Sequence, residues 1–135
     1  MLSLRRSALG CALALLLGGP ALAHDRSGHV HTDQSAVTIT STTTGTGVLV
    51  EPWSEIVAIV DVTAASGTNP TLDIAIQTSA DNTTYATLAS FTQITGTTTA
   101  IKTVAAPIGK YVRFRYTVAG TSPSFTFTLK AHFKN

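Results

Sequence analysis

Two stretches of the chain share one pattern of apolar and polar positions. GTNPTLDIAI spans residues 67–76, and GTSPSFTFTL spans residues 120–129. After the first proline, Leu72, Ile74 and Ile76 fall on one parity, with Asp73 and Ala75 on the other. After the second, Phe125, Phe127, Leu129, Ala131 and Phe133 alternate with Thr126, Thr128, Lys130 and His132. A period of two describes a β-strand with one face toward a core. Gly67 and Gly120 can take positive φ cheaply. Pro70 and Pro123 fix φ and cannot donate to a ladder, so each belongs at a turn or a strand start. Each copy therefore predicts a strand–turn–strand unit with one buried face. Two such units are expected to pack face to face and close a sandwich core.

The rest of the pattern agrees. Short β-like runs cover 35–44, 48–50, 55–64, 71–78, 85–91, 98–104, 110–118 and 124–133. Turn chemistry separates them, including Asp81-Asn82, two residues that tolerate left-handed backbone. No stretch beyond residue 23 carries a helical period. The expected fold is all-β, an antiparallel two-sheet β-sandwich of about seven or eight strands. Its arrangement is either immunoglobulin-like or jelly-roll, and the pattern leaves both open.

The N-terminus departs from this. Arg5 and Arg6 precede an apolar run from Ala8 to Leu17, and Ala21-Leu22-Ala23 has small residues at a cleavage spacing. Residues 1–23 read as a signal peptide. The run is too short and too interrupted by Gly and Pro for an ordinary membrane span. Residues 24–34, HDRSGHVHTDQ, read as a flexible polar leader, and 35–135 as the β-sandwich domain. The expected location is secreted, periplasmic or cell-surface. Cys11 is the single cysteine and lies in the signal segment, so no disulfide is expected after cleavage.

Charge adds a second asymmetry. Between residues 24 and 101 there are seven acids, Asp25, Asp33, Glu51, Glu55, Asp61, Asp73 and Asp81, against Arg26 alone. From residue 102 onward there are Lys102, Lys110, Arg113, Arg115, Lys130 and Lys134, and no acid. Arg113 and Arg115 lie opposite Val112, Phe114 and Tyr116 in parity; Lys130, His132 and Lys134 lie opposite the Phe125–Phe133 face. If the two runs pair as a hairpin, Lys110, Arg113, Arg115, Lys130, His132 and Lys134 form one basic stripe. Such a stripe suits an interface with an acidic face of a neighbouring copy or with an anionic glycan surface, setting register more than affinity. The small overall charge of +2 does not argue for nucleic acid.

Chemistry is sparse. There is no nucleophile elbow and no Gly-rich phosphate loop, so no catalysis and no catalytic residue is expected. Cleavage after Ala23 would expose His24 as an N-terminal residue. Its amine and imidazole, with His29 or His31, would then chelate copper, which makes a periplasmic copper-binding protein one alternative. A glycan-binding module is another, with Trp53, Tyr85, Tyr111 and Tyr116 as candidate stacking rings, although Tyr116 falls on the core parity.

Residues 61–93, DVTAASGTNPTLDIAIQTSADNTTYATLASFTQ, and 108–129, IGKYVRFRYTVAGTSPSFTFTL, resemble small β-sandwich structural proteins of tailed phages. The resemblance implies a head-decoration, fibre or tail-associated role without catalysis, and a virion as the alternative location. It carries over no functional residue. The leading expectation is a non-enzymatic structural or adhesive subunit that works by self-assembly, as a homo-oligomer or polymer, or by attachment to a surface. In that scheme residues 24–44 complete a neighbouring copy's sheet by strand addition.

Overall fold

The computed structural model describes residues 28–105 and 107–135. Seven strands occur among them: β1 (His29–Ile39), β2 (Thr43–Thr44), β3 (Val48–Leu49), β4 (Glu55–Ser79), β5 (Ala86–Ser90), β6 (Thr98–Ala105) and β7 (Tyr111–Lys134). Every pairing is antiparallel. The signal segment 1–23 and His24 lie outside the described residues.

β4 and β7, of 25 and 24 residues, dominate the molecule. They pair from Glu55↔Lys134 through to Ser79↔Tyr111 and make one long ribbon. A straight strand of this length would run roughly 80 Å. Instead the ribbon doubles over. Tyr116 and Phe127 lie on opposite sides of the bend in β7, roughly 35 Å apart on a straight strand. Their ring centroids are 5.1 Å apart.

The bend is where the two repeats meet. Gly67 and Gly120 have φ of 113° and 120°, and two residues on, Asn69 and Ser122 have φ of 48° and 49°. The same letters thus encode the same backbone twice. The copies face each other across the ribbon. A Cβ on Gly67 would meet the Ser122 carbonyl oxygen at 2.7 Å, and one on Gly120 would meet that of Asn69 at 2.7 Å. The ladder slips between Val62 and Ala64 and twice more between Ser66 and Thr71, which lets both strands turn the corner together. The expected strand–turn–strand units are corrected accordingly. The two copies hydrogen-bond side by side in one joint corner, and face-to-face packing occurs between the two halves of the same ribbon. Residue parity cannot distinguish these arrangements, because both bury the same side chains.

Dividing β4 and β7 at the corner, and taking β2 with β3 as one edge, gives eight segments. The first layer runs β1, C-terminal β7, N-terminal β4, β6; the second runs β2/β3, N-terminal β7, C-terminal β4, β5. Numbered along the chain, the orders are 1-8-3-6 and 2-7-4-5. This is the jelly-roll arrangement, which resolves the alternative left open by the sequence.

The core lies between the layers. Ile56, Ala58, Val60 and Val62 face Leu72, Ile74, Ile76, Phe114 and Tyr116, with Phe125, Phe127, Leu129, Ala131 and Phe133 beside them, all essentially inaccessible to water. Each large side chain buried this way stabilises by about 1.5–3 kcal/mol.

β1 starts at His29, inside the expected leader 24–34, and its pairing runs from His29↔Phe133 to Ile39↔Phe125. The expected domain start at 35 moves back accordingly, and residues 29–39 and 43–44 of the 24–44 segment expected to complete a neighbouring copy's sheet pair within the chain's own sheet. The polar sequence conceals this because β1 is an edge strand with two register shifts, between Thr32 and Gln34 and between Gln34 and Val37. At the first, Asp33 turns inward. Its side chain is only 4% exposed, and its carboxylate accepts the Tyr116 hydroxyl of the opposite layer.

Candidate interaction surface

The six basic residues do not form one stripe. Arg113 and Arg115 lie on N-terminal β7 in the second layer, whereas Lys130, His132 and Lys134 lie on C-terminal β7 in the first. The two runs are successive halves of one strand, and each pairs with β4 instead of with the other. Folding the ribbon therefore points their polar sides in opposite directions.

Three of the six have side-chain partners within the chain. Lys134 Nζ lies 3.1 Å from Glu55 Oε1 on the same rung, and Lys110 Nζ lies 4.0 Å from Glu51 at the surface. Arg113 Nε donates to Gln77 Oε1 at 2.8 Å, and its guanidinium stacks 3.7 Å above the Tyr85 ring, a cation–π arrangement. Among the described residues, Arg115 and Lys130 have no carboxylate within ion-pair distance. The charge divide along the sequence becomes lateral: acidic β4 lies against basic β7, with Glu55 opposite Lys134 and Asp61 opposite Thr128.

A feature missed from the sequence lies on the first layer's outer face. Rungs pair Val30 with His132, His132 with Val57, and Val57 with Thr103; the next rung pairs Thr32, Lys130, Ile59 and Ile101 in the same way. Val30, Ile59 and Ile101 are 61%, 44% and 64% exposed, with Val57 half-buried between them. An open depression of about 380 Å³ is lined by Ile59, Asp61, Thr128 and Lys130. The signal is present in EIVAIVDV, residues 55–62, whose outward parity carries Val57 and Ile59 between Glu55 and Asp61. Such a run is written for a strand covered on both faces, and here only the inner face is covered. The second layer presents Asp73, Ala75, Gln77, Arg113 and Arg115 at the corresponding positions.

The other candidate sites disperse. His29 and His31 pair with Phe133 and Ala131 on β1, while His132 has the opposite parity. His31 Nε2 lies 3.6 Å from Asp33 Oδ1, and no group of three or more metal-ligating side chains forms among the described residues. The candidate sugar-stacking rings do not share a face. Tyr116 is fully buried, Trp53 packs against the core, and Tyr85 lies under Arg113. An open depression of about 350 Å³ beside Trp53 is lined also by Glu51, Ile108 and Lys110.

Two titrations are displaced. Burial, then the adjacent Asp33 charge, pushes the Tyr116 hydroxyl far above the usual tyrosine range. The Asp81 carboxyl is held well below the usual range, first by the Thr84 backbone N–H and then by Thr83 and Ser79. Asp81 Oδ1 accepts the N–H groups of Thr83 and Thr84 at 2.9 and 2.8 Å, and Ser79 Oγ accepts those of Asp81 and Asn82. Asn82 has φ of 63°, the left-handed geometry expected of this turn.

No protein-family model matches the chain, and no curated protein matches it in sequence. Among solved structures, the PBSX exported protein XepA shares the fold with a TM-score of 0.59 at 18% identity. The match covers 80% of this chain but only 37% of XepA, so the chain spans well under half of that protein's length.

Proposed function

We propose that this chain is a non-enzymatic structural subunit of phage-derived type, which works outside the cytoplasm by associating with copies of itself. The observation that carries the reading is the apolar cluster of Val57, Ile59 and Ile101 on one outer face of the jelly roll, with Val30 set apart from it by His132 and Lys130. A sheet face in permanent contact with water ordinarily alternates apolar-in and polar-out, and a contiguous apolar patch rimmed by charge marks a contact surface. The fold shared with XepA, a phage PBSX exported protein, supports both the phage-derived and the exported parts of the proposal. The apolar segment that ends at Ala23 supports export independently. Absence of catalysis rests on the sequence, which has no nucleophile elbow or phosphate loop.

Light scattering coupled to size exclusion, with electron microscopy of the same fractions, tests the proposal. Association that rises with protein concentration is expected. A monomer at millimolar concentration in both low and high salt refutes it.

A further inference from the structure

Building on the self-association proposed above, we infer that the outer face of the first layer docks against the same face of a second copy, about a two-fold axis parallel to the strands and midway between β4 and β7. The contact joins two chemically identical faces, as an isologous dimer requires.

The strand order β1-β7-β4-β6 selects this axis. A half-turn about it lays β4 on the partner copy's β7, and β6 on the partner copy's β1. Position along the strand is unchanged, so each rung meets its own equivalent. The acidic column of β4 then faces the basic column of β7. Glu55 and Lys134 already pair within one chain, so the free charges are Asp61 and Lys130. They stand one rung apart, about 7 Å along the strand. The length of a lysine stem, lying along the partner copy's Ile59, spans that offset. An axis perpendicular to the strands would instead stack β7 on β7, basic column on basic column.

The apolar residues fit the same operator. Val57 and Ile59 lie beside the axis and pack against the partner copy's His132 and the apolar stem of its Lys130, while Ile101 is covered by Thr32 of the partner copy's β1. Four strands about 4.8 Å apart, over eight residues at about 3.3 Å each, present roughly 500 Å² per copy. Both copies together bury about 1,000 Å², the lower bound for a specific interface. The open edge of β6 is a poorer alternative. Lys102 has the inward parity there, next to Val104, and continuing the sheet past β6 would bury its charge.

Sedimentation equilibrium of the purified chain and four variants tests the geometry, with circular dichroism to verify folding. Ile59→Lys, which sets a second cation against the partner copy's Lys130, is expected to abolish the dimer. Asp61→Lys and Lys130→Glu should each raise its dissociation constant at least tenfold. Asp61→Lys combined with Lys130→Glu restores opposite charges across the axis and should return the constant to within about threefold of wild type. Dimers that tolerate Ile59→Lys and Lys130→Glu would overturn this interface and leave self-association standing. Failure of the double variant to recover would overturn the two-fold register. A wild-type chain that is monomeric throughout would refute both proposals.

Discussion

The corner of the ribbon offers the sharpest test of the fold. Gly67→Ala places a methyl group 2.7 Å from the Ser122 carbonyl oxygen and 2.9 Å from both Pro123 Cα and the Thr121 carbonyl oxygen. All three are backbone atoms of the opposing repeat, so no side chain can swing aside. The φ of 113° is also one that alanine adopts only with strain. Backbone strain of this kind costs about 1–3 kcal/mol, and accommodating an added methylene in a tight site typically costs a further 1–3 kcal/mol. Together these give an expected loss of about 2–6 kcal/mol. Gly120→Ala meets Asn69 and Pro70 in the mirror arrangement and should cost a similar amount. Gly96→Ala is the control, because a Cβ there meets nothing within 4 Å; its effect should be within about 0.5 kcal/mol of zero. Urea unfolding followed by circular dichroism measures all three. Both glycines belong to one joint, so the combined substitution should depart from the sum of the single effects. Equal stabilities for Gly67→Ala, Gly120→Ala and Gly96→Ala would refute the proposition that the two repeats lock each other's backbone.

Three further outcomes are expected. Tyr116→Phe removes a hydrogen bond to a buried carboxylate and should cost about 1.5–3 kcal/mol in denaturant unfolding. The Tyr116 hydroxyl titrates higher in the folded chain than in the unfolded one, so its contribution is full below the ordinary tyrosine value of about 10 and is lost as pH rises above it. Wild type should therefore lose stability in alkali more steeply than Tyr116→Phe, as thermal midpoints across pH would measure. Asp81 titrates lower when folded, so its contribution is present above the ordinary aspartate range and disappears as pH falls through that range toward the depressed folded value. Asp81→Asn should be less stable than wild type at neutral pH, and the difference should close in acid, by the same measurement. Phe127→Ala, at a fully buried site against Tyr116, should cost about 3–5 kcal/mol in urea unfolding.

Much of the fold is legible in the order of residues alone. The alternation after Pro70 and Pro123 identifies the buried face of both strands, and Leu72, Ile74, Phe125 and Phe127 lie in the core as that alternation requires. The β runs at 98–104, 110–118 and 124–133 match β6 and the two halves of β7. The start of β1 is hidden because an edge strand with register shifts buries too few side chains to show a period. The candidate surface is half legible. The basic residues stand out, but grouping them in one stripe requires a hairpin that the ribbon does not form. Part of the apolar patch is written into Val57 and Ile59 on the outward parity of residues 55–62, where the run resembles a central strand.

The all-β class, the inward-facing residues and the two corners follow from the chain's local chemistry, because side-chain parity, positive-φ glycines and ring-locked prolines act within a few residues. Folding in three dimensions settles the rest: which corner lies beside which, that β4 and β7 each belong to both layers, and which face of β4 goes uncovered. Those are properties of hydrogen-bond register between segments far apart in the chain. The same buried side chains are compatible with more than one register, so the choice rests on how all the strands close around one core.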